Sequence, residues 1–347
     1  MQRAIDPKGG KATAPPDLWI AGLGSQYPPH VLEPKDLYDF ATRFHNPETP
    51  GLKRLLAINK RTGIETRSAV STYKDGFGTG KDPPTIADID SFFRVVGVDL
   101  TVQASRKALQ EWGGNKSQIT HTVGVTCTSQ GNPGYDVLVN QALGLEASID
   151  RTLLHGVGCA GGLAIMRAAG QIAAGATAFG RPARILAFAC ELSTPHMRCE
   201  LAAAERKPSD QVGIAGALFS DAAAAFVLTN RSCTVISRDV PSLIKQAVKP
   251  VLDGMLLGCR VPSTDNFDWA LHPGGTAVVD GVKEAMGLTE HQLRATREIY
   301  RTKGNSSSPT VLIVLDRLRS MDSSRGNIVA ASFGPGLAIE MALLERC

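Results

Sequence analysis

The stretch LLHGVGCAGG, residues 153–162, sets one cysteine, Cys159, between an apolar run and a group of small residues. Two readings compete for it. A free cysteine is a small hydrophobe and is often buried for packing alone. Alternatively a strand ends here and a helix begins, with the thiol at the helix's positive end, where its pKa falls. A free thiol is only about 3% ionised at neutral pH, and a fall of about two to three units would make it mostly thiolate. Glycines at 156, 158, 161 and 162 would let backbone N–H groups approach a reacting carbonyl unobstructed.

Other groups follow in chain order. His272 ends FDWAL and enters the turn HPGG, where a satisfied turn histidine is the plainer account. Asn305, in KGNSSSPTVLIVLD, precedes a helix, a usual place for a capping asparagine, and Pro309 suits the first helical turn. Phe219 in ALFSDAAAAF reads as core and Asp221 as a turn or network carboxylate. FGPG, residues 333–336, reads as a tight turn between the last two strands.

These residues need a frame to hold them, and short apolar runs alternating with helical patterns provide one. Strands are expected at 18–24, 119–127, around RTLLHGVG, at 183–190 and 267–272, with a long strand-like run over 217–230. Helices are expected at 35–44, over most of 89–113, at YDVLVNQALGL, from about Ala160 to Ala176, near 241–254, at GTAVVDGVKEAMG and from near Ser307. The Ala160–Ala176 segment is apolar nearly all round and made of small side chains, so it belongs between two layers. Alternation of this kind favours layered α/β packing.

Composition narrows the function classes. The 347 residues carry 43% hydrophobic and 20% charged side chains, which reads as a soluble globular protein with a sizeable core. A net charge of +4 argues against a dedicated nucleic-acid binder. No apolar run reaches the roughly 18 residues of a membrane span. The N-terminal stretch lacks a signal peptide's apolar core, so cytoplasmic location is expected. Seven cysteines without regular spacing then read as reduced thiols. No C-x-x-C pair suggests zinc, and Cys190 to Cys199 is too wide for a knuckle. DGFGTGKD, residues 75–82, fails as a phosphate loop: Asp82 follows Lys81, and Pro83–Pro84 blocks the helix such a loop needs. Asn-x-Ser sites at Asn115, Asn230 and Asn305 carry no meaning without secretion.

Cysteine after a strand, then LFSD, HPGG, GNSSS and FGPG in that order resembles the type III polyketide synthases, the chalcone-synthase-like branch of the thiolase superfamily. ITHTVGVTCTSQGNPGYD and LRATREIYRTKGN extend the match, which covers roughly residues 17–345. The flanks of Cys159 are closer to fungal and other microbial members, which commonly make alkylpyrones, alkylresorcinols or resorcylic acids from fatty acyl starters.

The resemblance implies a thiolase-like αβαβα fold of two related halves: a flexible lead-in at 1–16, one half at 17–230 carrying the cysteine, and one at 231–347 carrying His and Asn. It implies that Cys159 holds the starter as a thioester, with His272 and Asn305 completing a Cys-His-Asn set. His272 would keep the thiolate ionised, and both would donate to a malonyl thioester oxygen as carbon dioxide leaves. Phe219 matches a gatekeeper aromatic, and Ser193, in CELST, a cavity-lining hydroxyl. Gly274, Gly334 and Pro335, in the matching glycine turns, are by the same resemblance expected to contact substrate. Coenzyme A phosphates call for a basic entrance, and Lys53, Arg54, Lys60 and Arg61 stand in a segment that otherwise reads as a solvated helix face. Gly51 and Ile58 occupy positions where the family usually has lysines.

Acyl-coenzyme A and malonyl-coenzyme A are therefore the expected partners, with no metal or redox cofactor, and a homodimer is expected. One departure stands out. Between Asn230 and Asp239 the family usually has a few dozen more residues, here reduced to RSCTVISR. A ketoacyl-synthase-III-like enzyme that stops after one extension, or an inactive paralogue that binds a partner, would be the alternatives.

Overall fold

Strands that are apolar on both faces need a covering layer on each side. The structure, a computed structural model describing residues 18–230, 267–321, 325–335 and 338–346, meets that need with five layers. In chain order the strands are β1 (Trp19–Gln26), β2 (His30–Leu32), β3 (Arg67–Ala69), β4 (His121–Thr126), β5 (Asp150–His155), β6 (Arg184–Glu191), β7 (Ala222–Thr229), β8 (Phe267–Leu271), β9 (Asn327–Gly334) and β10 (Ala338–Glu345). The helices are α1 (Pro34–Phe44), α2 (Pro50–Arg61), α3 (Ile86–Trp112), α4 (Tyr135–Leu143) and α5 (Gly161–Ala178). They continue with α6 (Met197–Glu205), α7 (Ala215–Leu218), α8 (Thr276–Met286), α9 (Arg294–Lys303) and α10 (Thr310–Arg319).

One sheet has the order β1-β7-β6-β4-β5, with β4 parallel to β5 and β6, and β7 antiparallel to both its neighbours. The second, among the described residues, runs β10-β9-β8, with β8 parallel to β9 and β10 antiparallel to it. The second sheet thus repeats the β4-β6-β7 arrangement of the first.

Period-two alternation sorts the side chains between layers. Leu186, Phe188 and Cys190 of β6 face outward with Ala223, Ala225 and Val227 of β7, against Val98 and Val102 of α3 and Tyr135 and Val139 of α4. Their neighbours Ile185, Ala187, Ala189, Ala224 and Phe226 face inward. There they meet Ile165 and Met166 of α5, Val311 and Val314 of α10, and Ile328, Ala330 and Ala342 of the second sheet. Beyond that sheet, Trp269, Leu271, Val329 and Phe333 pack on Val279 and Val282 of α8. The expected position of α5 between two layers is what the structure has.

The run at 217–230 is not one strand. It begins in α7, turns at Phe219–Asp221, and only then becomes β7. Asp221 causes the break: its buried carboxylate accepts from the backbone N–H groups of Val70, Ser193 and Thr194 at 2.6–2.9 Å, which ties the turn to two other loops. The helix expected near 241–254 and the shortened link between Asn230 and Asp239 lie outside the described residues, as does the lead-in at 1–16.

The central helices meet at their N-termini through a glycine. A Cβ on Gly162 would lie 2.4 Å from the Ser308 carbonyl oxygen and 2.8 Å from Val311, so the two backbones are in direct contact. Gly162→Ala should therefore cost about 1–3 kcal/mol, the usual range for overpacking. A lowered midpoint in thermal or urea unfolding is the expected result.

Candidate active site

In open α/β sheets the carboxyl ends of parallel strands form the crevice where ligands bind. Cys159 follows the carboxyl end of β5, and His272 directly follows that of β8. Cys159 sits in a tight turn, Gly158–Ala160, that leads into α5. Gly158 has φ +58°, and a Cβ there would also come within 2.6 Å of Pro335, so both conformation and space require glycine. Gly334 is pressed the same way, with its Cβ position 2.6 Å from the Val157 carbonyl oxygen. Gly334 and Pro335, expected as substrate contacts, are thus the wall against which the cysteine loop is packed.

Asn305 and its serines approach from the other side. Cys159 Sγ lies 3.4 Å from Ser307 Oγ. Ser307 is the one described non-glycine residue with positive φ, +57°, a conformation that costs energy and is held by its surroundings. Its N–H donates to Asn305 Oδ1 at 2.8 Å, and the Thr310 hydroxyl to the same oxygen at 3.4 Å. These bonds fix the amide's orientation and leave Asn305 Nδ2 as the donor on the side of the thiol, where it acts on Cys159. Asn305 also forms a parallel β-bridge with Phe219, and its carbonyl accepts from Ser220 N at 2.9 Å. The LFSD turn and the GNSSS turn are therefore one unit, with half-buried Phe219 beside Leu218, Ile64 and Tyr300.

His272 is fully buried, and neither ring nitrogen has a hydrogen-bond partner among the described residues. Its backbone is fixed by its N–H donating to Ala331 O at 2.8 Å. Burial drives its pKa down to about 3, so the ring is neutral with both nitrogens unengaged. The structure thus brings Cys159 and Asn305 together, while no hydrogen bond joins His272 to either among the described residues. Ser193 belongs to the Asp221-held loop, through its backbone N–H.

The expected depression of the thiol is not what this arrangement produces. Burial pushes Cys159 up to about 11; Ser307 and Asn305 pull it down, and the nearby Glu191 carboxylate pushes it further up. Glu191 is the functional-site residue that the sequence reading did not single out. It is fully buried, accepts from Cys127 N at 2.9 Å, Thr128 Oγ1 at 2.9 Å and Ser308 Oγ at 2.7 Å, and is itself raised by burial. The signal was present: an acidic residue closing the otherwise apolar run ARILAFAC.

A cleft of about 330 Å³ opens beside these turns, lined by Arg54, Ile58 and Arg61 of α2, by Leu218 and Tyr300, and by the Gly274–Val278 backbone. Positions 54, 58 and 61 share one helix face at the i, i+4, i+7 spacing. Lys53 and Lys60 lie on a neighbouring face. Lys53 pairs with Glu48 at 2.7 Å and Lys60 stacks over Tyr38, so neither lines the cleft. The basic entrance is therefore narrower than the sequence suggested. Position 51 is closed to any longer side chain, because a Cβ there would be 2.1 Å from the Ala204 carbonyl oxygen.

Residues 10–231 match the family model for chalcone and stilbene synthases, N-terminal domain, and residues 218–347 the corresponding C-terminal domain. The type III polyketide synthase pspB of Penicillium soppii is 52% identical over 387 aligned positions, covering 96% of this chain and 97% of that protein. The acylalkylpyrone synthase csyB of Aspergillus oryzae is 33% identical, covering 94% of each. A crystal structure of a type III pentaketide synthase from Neurospora crassa superposes with TM-score 0.89 at 37% identity, over 95% of this chain and all of that one. Both sequence alignments run to more positions than the 347 residues of this chain, so each relative carries residues that it lacks.

With burial dominant at both Cys159 and His272, Cys159 alkylation by iodoacetamide should quicken about tenfold per pH unit from neutral toward alkaline pH. A rate already level below pH 7 would instead show a thiolate paired with a His272 imidazolium.

Proposed function

The chain belongs to the chalcone and stilbene synthase family, the type III polyketide synthases, and from that premise we propose that it extends a medium- or long-chain fatty acyl-coenzyme A with malonyl-coenzyme A and cyclises the product to an alkylpyrone, alkylresorcinol or resorcylic acid. The observation that carries the reading is the 3.4 Å approach of Cys159 Sγ to the turn that orients Asn305. Cys159 takes the starter as a thioester. His272 accepts the thiol proton as the carbonyl is attacked and passes it to the departing sulfur, so that coenzyme A leaves as the thiol and no unpaired charge stays buried.

Decarboxylation follows in the same pocket. The malonyl carboxylate loses its hydration in the buried site, which favours loss of carbon dioxide. Asn305 Nδ2 and a protonated His272 nitrogen donate to the thioester oxygen as the enolate forms, and that enolate attacks the Cys159 thioester. The step is proposed without a metal or redox cofactor. Arg54 and Arg61 at the cleft suit coenzyme A phosphates, and csyB of the same family has been solved in complex with coenzyme A.

A homodimer is part of the proposal, supported by β5. Among the described residues it is an edge strand of its sheet, with Asp150, Arg151, Thr152 and His155 exposed along it, an edge that a second copy can extend. A cytoplasmic setting is proposed on the described thiols of Cys127, Cys159, Cys190 and Cys199, all free.

Purified protein with malonyl-coenzyme A and a series of acyl starters, analysed by mass spectrometry, tests the whole reading. Each methylene buried along the acyl path adds about 0.8 kcal/mol, or about fourfold in KM. KM should fall with chain length until the path ends, and a flat response with efficient use of a cinnamoyl starter would refute the fatty preference. Cys159→Ala should load no starter, whereas Asn305→Ala should load it yet decarboxylate malonyl-coenzyme A about 10²–10³ times more slowly.

Arg54 offers an independent check on the entrance. Arg54→Ala should raise KM for coenzyme A thioesters about tenfold. N-acetylcysteamine thioesters, which lack the phosphates, should be used as before.

A further inference from the structure

Cys127 has no role in the chemistry above, yet it lies against the loop that carries Cys159. β4 and β5 run parallel with Thr126 opposite His155, so the chain leaves both strands side by side. The loop after β5 then folds over Cys127. Gly158 N–H donates to Cys127 Sγ at 3.1 Å, and the amides of Gly156 and Val157 act on the same sulfur. Gly156 and Gly158 have φ +72° and +58° on either side of Val157 at −84°. This alternation of left- and right-handed residues turns successive N–H groups to one side and makes a concave site for an anion. Here the group it cradles is a sulfur. Burial and the Glu191 carboxyl push the Cys127 thiol up, and the three amide donors offset that in part. The two thiols are near enough for the charge on one to act on the other, and both residues are only partly buried.

We propose that Cys127 is the resolving partner of Cys159 under oxidation, so that a peroxide converts the pair to a reversible disulfide that switches off acyl loading. In the first step the Cys159 sulfur attacks the peroxide. The O–O bond breaks, an S–O bond forms, the thiol is oxidised to a sulfenic acid, and the peroxide is reduced to water or an alcohol. In the second, Cys127 sulfur attacks the sulfenic sulfur, the S–S bond forms, and hydroxide leaves with the Cys127 proton as water. The amide cradle holds the Cys127 sulfur against the loop that carries Cys159, on the side from which that attack comes. The disulfide requires the two Cβ atoms to reach about 3.5–4.5 Å, and the parallel exit of β4 and β5 starts both residues from adjacent strand ends. The disulfide also shields the nucleophile from oxidation to the sulfinic acid, which thiols do not reverse.

Tryptic cleavage separates the two thiols cleanly. Cys127 is the single cysteine of peptide 117–151, and Cys159 the single cysteine of peptide 152–167. The full chain is treated with hydrogen peroxide, quenched with iodoacetamide and digested. The expected result is a cross-linked pair of these peptides, two hydrogens lighter than their sum, with acyl loading lost and then restored by dithiothreitol. In Cys127→Ser the same treatment should leave Cys159 as sulfinic acid, with loading that dithiothreitol does not restore. Oxidised Cys159 beside a fully alkylated Cys127 in the wild type would overturn the proposal, and so would equal recovery of the serine variant. Should that variant fold poorly, the wild-type cross-link decides alone.

Discussion

Two helices start at the same point in the molecule, and the chemistry is attached to those starts. Gly161 and Gly162 open α5 against the carbonyl and side chain of Ser308, just ahead of α10. Cys159 stands immediately before one helix, and Asn305 to Ser307 immediately before the other. The relative position of sulfur and amide is therefore set by backbone contact between two buried helices, which is far stiffer than contact between side chains on loops. The positive φ of Ser307 belongs to this arrangement. Such a conformation costs about 1–3 kcal/mol, and the bonds from Ser307 N to Asn305 and from Thr310 N to the Ser307 carbonyl hold it in place.

Two buried carboxylates extend this rigidity outward. Glu191 gathers the end of β4, the Thr128 hydroxyl and Ser308, joining the first sheet to the start of α10. Asp221 gathers Val70, Ser193 and Thr194 around the Phe219 turn. Moving a carboxylate out of water costs several kcal/mol, and bonds of this kind, each worth about 1.5–3 kcal/mol, offset it only when the set is complete. Both carboxylates are raised by their burial all the same. Burial and the neighbouring Glu191 carboxyl therefore both disfavour a lone thiolate at Cys159. That charge pattern makes a proton-accepting imidazole necessary for the proposed chemistry.

The layered fold was legible because its signals are local. The apolar run ARILAFAC reads as a buried strand, and the small, nearly all-apolar segment GGLAIMRAAGQIAAGATA as a helix between layers; the structure places both there. The break inside ALFSDAAAAFVLTN was not legible, because the residue that makes it, Asp221, acts through partners about 27 to 151 positions away. Lys53 and Arg54 look equivalent in sequence, but one residue is a 100° turn of the helix, and only Arg54 reaches the cleft. Likewise the helix-end argument for Cys159 treated the dipole alone. Burial, which no neighbouring sequence reveals, outweighs it.

The neutral state of the pair has a use of its own. A thiol pushed up and an imidazole pushed down by burial keep the pair uncharged at neutral pH until a reactant engages the sulfur. In the proposed reaction their ionisation is coupled to the presence of a carbonyl, because proton transfer to His272 becomes favourable only as the sulfur's charge passes to the substrate. The two unpartnered nitrogens of His272 fit that timing. A buried ring without partners is destabilised by about 1–3 kcal/mol for each lost bond, and a substrate oxygen is the group that relieves it. Fixed positive charge thus stands at the mouth, on Arg54 and Arg61, and new charge forms between Cys159 and His272 only where a reacting thioester takes it up.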